Sequence, residues 1–467
     1  MAGPDLRILI VGAGPAGLRA AELLAGAGCM PILVDEAPRI GGQIYRQPPR
    51  VPGFTRPAKE LYGAGADRAK DLFVAFDRIR HKIDYRPSSL VYDLIDNRAV
   101  IASEGKSAEV QFDALILATG AMDRIVPAPG WTLPGVYSLG GAQIALKHQG
   151  CTIGNRVAFV GTGPLLLLTA YQYARAGVEP EVIVLPSRRS SFLAGCLAML
   201  RAPKAAARGL RWLFGLKRRG VPMLFDHRLE RVLGDGMVTG IQVKSRRGKL
   251  REFECDAVAL GYGLQSETQL ADLAGLKFGF DATQRQWLPE SDAFGRATVR
   301  TDVYLAGDGN GILGADAAEA RGRLAAHALL TDNKIETPYY RPEADLALVA
   351  RWQRLQAALR RAFALPADLF MRVPDDALLC RCETVRAGDY RGIAGLMGAR
   401  ELNRAKAYSR VGMGRCQGRL CGHAAAEILA GTLGVSLDSV GRLRGQAPVK
   451  PVTVGAVAAK DLDGRTP

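Results

Sequence analysis

No apolar run in this 467-residue sequence approaches the roughly 18 to 20 residues that a membrane span requires, so a transmembrane helix is not expected. Histidine is scarce: the five present are scattered and form no pair or triad with acids, which leaves the chain without an acid–base constellation and without a candidate catalytic residue. A secretory leader is missing too. The first apolar stretch, residues 6–11, runs straight into a glycine loop with neither a basic leader nor a cleavage site before it, and this points to a cytoplasmic protein. No nucleic-acid-binding motif accompanies the net charge of +16, which comes mostly from arginine scattered along the chain. One local concentration stands out, at Arg201, Lys204, Arg208, Arg211, Lys217, Arg218 and Arg219. It reads first as a solvated helix face and next as a surface for a partner or another anion, with Trp212 and Phe214 expected to be buried rather than offered for base stacking.

The apolar fraction of 48% and charged fraction of 23% are a globular balance, and the length exceeds one ordinary core, so two or three domains are expected. Residues 7–11 (Arg-Ile-Leu-Ile-Val) have the pattern of a buried strand, Gly12-Ala-Gly-Pro-Ala-Gly17 follows as a turn, and small and apolar residues continue as a helix to about residue 26. A second strand, residues 31–34, ends in Asp35 and Glu36. This is the context that a G-x-G-x-x-G needs to mean dinucleotide binding. Gly12 makes the tight turn, Gly14 lets a pyrophosphate approach the backbone, and Gly17 lets helix and strand pack closely. The helix N-terminus that follows Gly14 offers free N–H groups and a positive dipole end to phosphates, and Asp35 is placed to accept hydrogen bonds from a ribose.

A weaker copy follows. Residues 156–160 precede Gly161-Thr-Gly163, a helix runs through residues 165–176, and residues 182–184 close the unit. Residues 112–120 (F-D-A-L-I-L-A-T-G) likewise resemble residues 255–263 (C-D-A-V-A-L-G-Y-G), at nearly the same offset. Two related nucleotide-binding domains are therefore expected, the second inserted in the first. In the second, the third glycine is replaced by Leu166, and the strand end reads Val184-Leu-Pro-Ser187 with no acid. Arg188 and Arg189, which an NADPH phosphate would want, come a few residues late. An empty domain kept for architecture competes here with NAD(P)H turnover.

Of eight cysteines, Cys29, Cys151, Cys196 and Cys255 are isolated, whereas Cys380-x-Cys382 and Cys416-x4-Cys421 fall together. Four thiolates suit zinc or an iron–sulfur cluster. Zinc sites more often use C-x2–4-C pairs.

Several motifs carry family resemblances. Asp35-Glu-Ala-Pro-Arg-Ile-Gly-Gly-Gln43, Ala118-Thr-Gly120 and Val303-Tyr-Leu-Ala-Gly-Asp308 resemble motifs of pyridine-nucleotide–disulfide-type flavoproteins. The resemblance implies FAD held by Gly12, Gly14, Pro15, Ala16, Gly17, Asp35, Glu36, Gly42, Gln43, Ala118, Thr119, Gly120, Gly307 and Asp308, with Asp308 on the ribityl chain. Their cysteine pair after Gly-Gly is replaced by Gln43, Ile44 and Tyr45, so disulfide reduction is not expected. Cys380-Arg-Cys-Glu383 and residues 412–422 resemble the [2Fe–2S] domain related to bacterioferritin-associated ferredoxin, which implies a cluster on Cys380, Cys382, Cys416 and Cys421, with Arg415 and Arg419 offsetting its charge. His423 is not counted as a ligand.

Over almost its whole length the chain is similar to the larger subunits of heteromeric dye-linked dehydrogenases, namely opine dehydrogenases, D-hydroxyproline dehydrogenase and the hydrogen cyanide synthase B subunit. Gly42-Gln-Ile-Tyr-Arg46, Gly130-Trp-Thr-Leu-Pro-Gly-Val136 and Gly161-Thr-Gly-Pro-Leu-Leu166 carry that likeness beside the cysteines. The resemblance implies an oxidoreductase of CH–NH or CH–NH2 groups, working with a D-amino-acid-oxidase-like beta subunit, with a small third subunit, and with a quinone or carrier protein as acceptor. It also implies FMN at a subunit interface and NAD or ATP as a structural nucleotide, and a place at the inner membrane only through the complex. Two rivals are a self-contained NAD(P)H-dependent reductase and a non-redox nucleotide-binding scaffold with zinc. The expected architecture is α/β: two Rossmann-like domains and a small α-rich C-terminal [2Fe–2S] domain. The expected segments are residues 1–125, 126–290, 291–335 (a return to the first domain), 336–377 (a helical linker), 378–435 (the cysteine domain) and 436–467 (a tail).

Overall fold

The expected first strand is realised as Ile8–Val11, whose four residues are all buried. A computed structural model describes this strand and the rest of residues 6–49, 51, 56–198 and 203–459. The chain divides into two units, one comprising Met1–Ala121, Gln265–Gln353 and Arg444–Pro467, the other Met122–Leu264 and Arg354–Leu443.

In the first unit Ile8–Val11 lies at the centre of a five-stranded parallel sheet, in the order Val303–Leu305, Ala114–Leu117, Ile8–Val11, Ile32–Val34 and Asp84–Arg86. Helices cover a parallel sheet on both faces, so its central strands read as continuous Ile, Leu and Val rather than alternating. The helix Pro15–Gly26 starts with proline, whose missing N–H has no acceptor to lose in a first turn. It packs on Ala315–Asp332 through glycine: a Cβ on Gly322 would stand 2.0 Å from the carbonyl oxygen of Ala16. An antiparallel meander, Ser89–Ile95, Arg98–Ser103 and Lys106–Gln111, completes this body. Residues 265–290, read from sequence with the second domain, cluster with this first unit, where the helix Gln269–Leu273 packs on Ser89–Ile95. The tail returns here as well: Val449 N–H donates to the carbonyl of Tyr92 at 3.0 Å, and the Lys450 ammonium pairs with Glu36.

The second unit repeats the plan. Its parallel sheet runs in the order Met223–Phe225, Pro180–Leu185, Val157–Thr162, Ala257–Tyr262 and Val136–Ser138, and a three-stranded meander covers His227–Leu233, Gly240–Ser245 and Leu250–Glu254. The same unit holds the cysteine region, built from the hairpin Leu378–Cys380/Val385–Arg386 and the helices Ala387–Leu396, Leu402–Ser409 and Gly422–Leu433. One apolar cluster joins the two parts, from Val160, Val184 and Val258 to Leu379, Cys380 and Leu429. Trp131, from the Gly130–Val136 motif, ties them with an indole N–H donated to the carbonyl of Leu378 at 2.6 Å.

In the basic stretch Arg201 lies outside the described residues, and the helix Pro203–Arg218 carries most of the rest. Trp212 packs against the core, but Phe214 is 60% exposed, contrary to expectation. Residues two apart on a helix are separated by roughly 200°, so the two rings cannot share one face. Among the described residues no helix is long and apolar enough to cross a membrane.

Candidate functional site

The first glycine turn is shaped by backbone that leaves no room for side chains. Gly12 has φ +109°, and a Cβ there would meet the carbonyl oxygen of Ala118 at 2.4 Å, while one on Gly17 would meet that of Gly12 at 1.8 Å. Gly42, at φ +58°, lies against Gly14, and Gly41 N–H donates to the Ala13 carbonyl at 2.9 Å, so the Gly-Gly segment forms one wall of the loop. Asp35 holds both sides: Oδ2 accepts from Ala13 N–H at 2.5 Å and Oδ1 from Ala37 N–H at 2.7 Å. Burial pushes the Asp35 carboxyl up, and these two amides pull against it. Glu36 and Gln43 are exposed, Gln43 accepting from Arg46 at 2.9 Å.

Ala118, Thr119 and Gly120 continue from the strand beside Ile8–Val11, and Thr119 Oγ1 donates to the Glu267 carbonyl at 2.6 Å. Asp308 Oδ1 accepts from Leu313 N–H at 2.9 Å and Gly314 N–H at 3.0 Å, at the start of Ala315–Asp332. Burial raises its carboxyl. The guanidinium of Arg321 donates to the carbonyls of Gly307, Asn310 and Gly311, stiffening the same loop. Ala16 is buried, facing Gly307 and Gly322 rather than the mouth of the loop. Sequence reasoning misses Arg321 and Gly322. Only Gly322 carries a readable signal, a small residue one turn after Ala318 on a helix that must lie close to another.

The second glycine turn keeps its geometry, with Gly161 at φ +145° and Gly163 at φ +99°. Leu166 is fully buried in the core between sheet and helix. On the side of Thr162 the chain itself comes close: Thr162 Oγ1 donates to the carbonyl of Phe363 at 2.8 Å and lies 3.1 Å from Ser187 Oγ, whereas Gly163 faces open space.

The cysteine region brings its four thiols together. Cys380 ends a strand, Cys382 lies in the turn that Thr384 closes at φ +53°, and Cys421 caps the helix Gly422–Leu433. Cys421 lies within interaction range of both Cys380 and Cys416, and Cys416 of Cys382. Backbone N–H groups of Gly412, Glu383 and Cys382 lie near the Cys380 sulfur, and those of Leu420 and Gly418 near Cys416. The bond from Cys421 lowers the Cys380 thiol to about 6 and the Cys416 thiol to about 5. Cys421 is pushed well up by supplying those bonds, and burial pushes Cys382 up. Among the described residues no three or more His, Cys, Asp or Glu converge as a ready cage for one metal ion. The sulfurs form a chain of neighbours instead, with amide donors around them, a donor set that fits a sulfide-bridged pair of irons, where no single metal binds all four. Gly414 has no space for a side chain, since its Cβ would stand 2.3 Å from that of Cys382. His423 points to Glu427 at 3.3 Å and stacks edge-on with Phe370. Arg415 is exposed, while Arg419 lies within 3.5 Å of the Cys416 carbonyl.

Residues 6–329 match the family described as pyridine nucleotide-disulphide oxidoreductase, and residues 393–461 match the sarcosine oxidase A3 domain. The opine oxidase A subunit of Rhizobium meliloti is 35% identical, over 99% of this chain and 91% of that protein. Hydrogen cyanide synthase subunit HcnB of Pseudomonas aeruginosa is 33% identical, over 97% of this chain and 98% of that one. Among solved structures, L-proline dehydrogenase from P. horikoshii shares the fold with a TM-score of 0.70 at 19% identity, over 97% of this chain and 79% of that chain. With its two Rossmann-like units and its α-rich C-terminal region, the chain is an oxidoreductase that belongs to the family of the opine oxidase A subunits and hydrogen cyanide synthase subunit HcnB.

Proposed function

We propose that this chain is the electron-transfer subunit of a heteromeric dehydrogenase acting on the C–N bond of an amino or imino acid of the opine or D-hydroxyproline type. A D-amino-acid-oxidase-like partner oxidises the substrate, and a quinone or carrier protein receives the electrons. Bound FAD supplies two-electron chemistry and a [2Fe–2S] cluster one-electron chemistry.

The observation that carries this reading is the proximity of Cys380, Cys421, Cys416 and Cys382, each next to another of the four, with backbone amides close by. Such N–H donors stabilise negative sulfur and raise a cluster's potential. The depressed Cys380 and Cys416 thiols present thiolate, the form that binds iron, near neutral pH. At the first turn, Gly12 and Gly17 let the loop close tightly, Gly14 leaves its backbone open to a pyrophosphate, Asp35 fixes the loop from beneath, and Asp308 stands at the helix start for a polyol chain. The names of the relatives support the substrate class: subunits of opine oxidase, hydrogen cyanide synthase and, at 22% identity, sarcosine oxidase.

The test is purification of the chain with its partners from the native host, with flavin, iron and sulfide analysis and dye reduction by opines, D-hydroxyproline, sarcosine and glycine. We expect flavin, about two irons per chain and dye reduction by one of these amines. A complex that lacks iron and reduces dye with none of them would refute the proposal.

A further inference from the structure

In the second nucleotide-binding fold the chain's own Ala362–Phe363 segment lies beside the glycine turn, and a basic cavity opens next to it. In a Rossmann unit the adenosine end of a dinucleotide lies between the glycine turn and the end of the second strand. Here Thr162 of the turn and Ser187, just beyond the strand Pro180–Leu185, are in contact with each other, and the Phe363 carbonyl accepts the Thr162 hydroxyl. The Phe363 ring packs on Phe192 at 5.4 Å between centroids, and Phe192 on Phe225 at 5.0 Å. Gly195 touches the backbone of Ala362 so closely that a Cβ would stand 2.1 Å from that of Ala362. The chain's own residues therefore occupy the space between Thr162 and the strand end, while Gly163 stays open.

Beyond this plug a cavity of about 400 Å³ opens between Pro186, the start of the helix Arg189–Ala198, the strands around Asp226 and Lys244, and residues 364–372. This is the low end of the range for small-molecule sites, roughly 300 to 1,000 Å³. Five cations line it: Arg188, Arg228, Lys244, Arg246 and Arg372. Three of them have carboxylate partners nearby, Arg228 and Lys244 sharing Glu230 at 3.1 and 3.2 Å, and Arg372 on Asp368 at 2.6 Å. Arg188 and Arg246 have no carboxylate partner among the described residues. Asp226 is the one further acid in the lining, and its backbone carbonyl accepts from Arg246 N–H at 2.9 Å.

We propose that this cavity binds a compact phosphate-bearing anion, while the dinucleotide is excluded by the chain's own Ala362–Phe363 segment. Two unpaired guanidiniums from separate stretches of the lining form a clamp that suits phosphate oxygens. The cavity holds a phosphate or pyrophosphate group, but the adenosine that would normally accompany it has no place to lie.

The test uses the full chain with its native cofactors, inorganic pyrophosphate as the probe, and arginine modification by phenylglyoxal read peptide by peptide. We expect pyrophosphate to slow modification of Arg188 and Arg246 by about three-fold or more at a concentration near twice its dissociation constant, with the exposed Arg247 outside the cavity unchanged. Equimolar NADH should protect less. A thermal-stability increase with pyrophosphate should disappear in Arg188→Ser/Arg246→Ser, two exposed positions where the fold makes no demand. No protection, equal protection of Arg247, an undiminished increase in the double variant, or better protection by NADH would each overturn the assignment. Because binding alone is measured, the outcome is independent of the proposed electron transfer.

Discussion

The Asp35 carboxylate bridges two backbone amides, Ala13 at 2.5 Å in the glycine turn and Ala37 at 2.7 Å beyond the second strand. It therefore belongs to the framework of the loop before any nucleotide arrives. Replacing it with alanine strands both amides, and we predict that Asp35→Ala lowers the stability of nucleotide-free protein by about 2 to 3 kcal/mol. Chemical denaturation of the stripped protein reads this directly. Unchanged stability with lost nucleotide would mean that the carboxylate serves the ligand alone.

Close helix packing behind the same turn makes a second prediction. Gly322→Ala places a methyl group 2.0 Å from the Ala16 carbonyl, so the two helices must separate. Overpacking of this kind costs about 1 to 3 kcal/mol. Nucleotide retention should fall with it, although Gly322 lies behind the loop. Gly392, in the helix Ala387–Leu396, has nothing within 4 Å of its would-be Cβ, and alanine there should be neutral or stabilising by up to about 1 kcal/mol. Thermal melts of the two variants separate packing from a general intolerance of alanine.

Cys421 links Cys380 to Cys416, so it is the thiol whose loss breaks the chain of sulfurs in the middle. Cys421→Ser should lose iron and acid-labile sulfide, whereas serine at the exposed Cys151 should retain both. Gly414→Ala, which crowds Cys382 without removing a sulfur, should weaken iron binding by about 10- to 100-fold. Iron and sulfide analysis of the three proteins decides the matter. Full iron content in Cys421→Ser would contradict the ligand set.

Lys147 is 5% exposed in the one-turn segment Ala145–Gln149, and burial lowers its ammonium from 10.5 to about 8. Between about pH 8 and 10.5 the unfolded chain binds the proton that the folded chain has released, so stability rises with pH across that window. Below pH 8 the cost of a buried charge is fully present. Lys147→Met should therefore stabilise the protein at pH 7 by about 1 to 3 kcal/mol, with the gain shrinking to nothing by about pH 10.5. Denaturation at pH 7, 9 and 10 tests the slope, and a gain independent of pH would assign the effect to packing instead.

What the sequence reveals and what it conceals divide along a physical line. Strands such as Ile8–Val11 and Val157–Thr162 are buried on both faces, and their unbroken apolar runs ahead of glycine turns stand out in the letters alone. The spacing of Cys380, Cys382, Cys416 and Cys421 also stands out in the letters, against four cysteines that are isolated. The plug at Phe363 is not, because its key contact is a backbone carbonyl, which any residue type provides. Leu166 and Ser187 are the readable trace, one where the motif wants its third glycine and the other in the stretch where it wants an acid. The tail has no periodicity, and the Lys450–Glu36 pair joins residues so distant in the chain that only the folded form reveals it. Phe214 escapes a reading by composition because its neighbour Trp212, equally aromatic, lies on the other side of the helix.

The first unit draws its parts from three separated stretches, the last of them supplying Val449 to Tyr92 and Lys450 to Glu36. A ribosome releases those stretches in order, so the edge strand Val303–Leu305 joins its sheet only after the whole of residues 122–264 has been made. During that interval the apolar border of Ala114–Leu117 has no neighbour on one side, which makes a half-synthesised chain the species most exposed to aggregation and to chaperone capture.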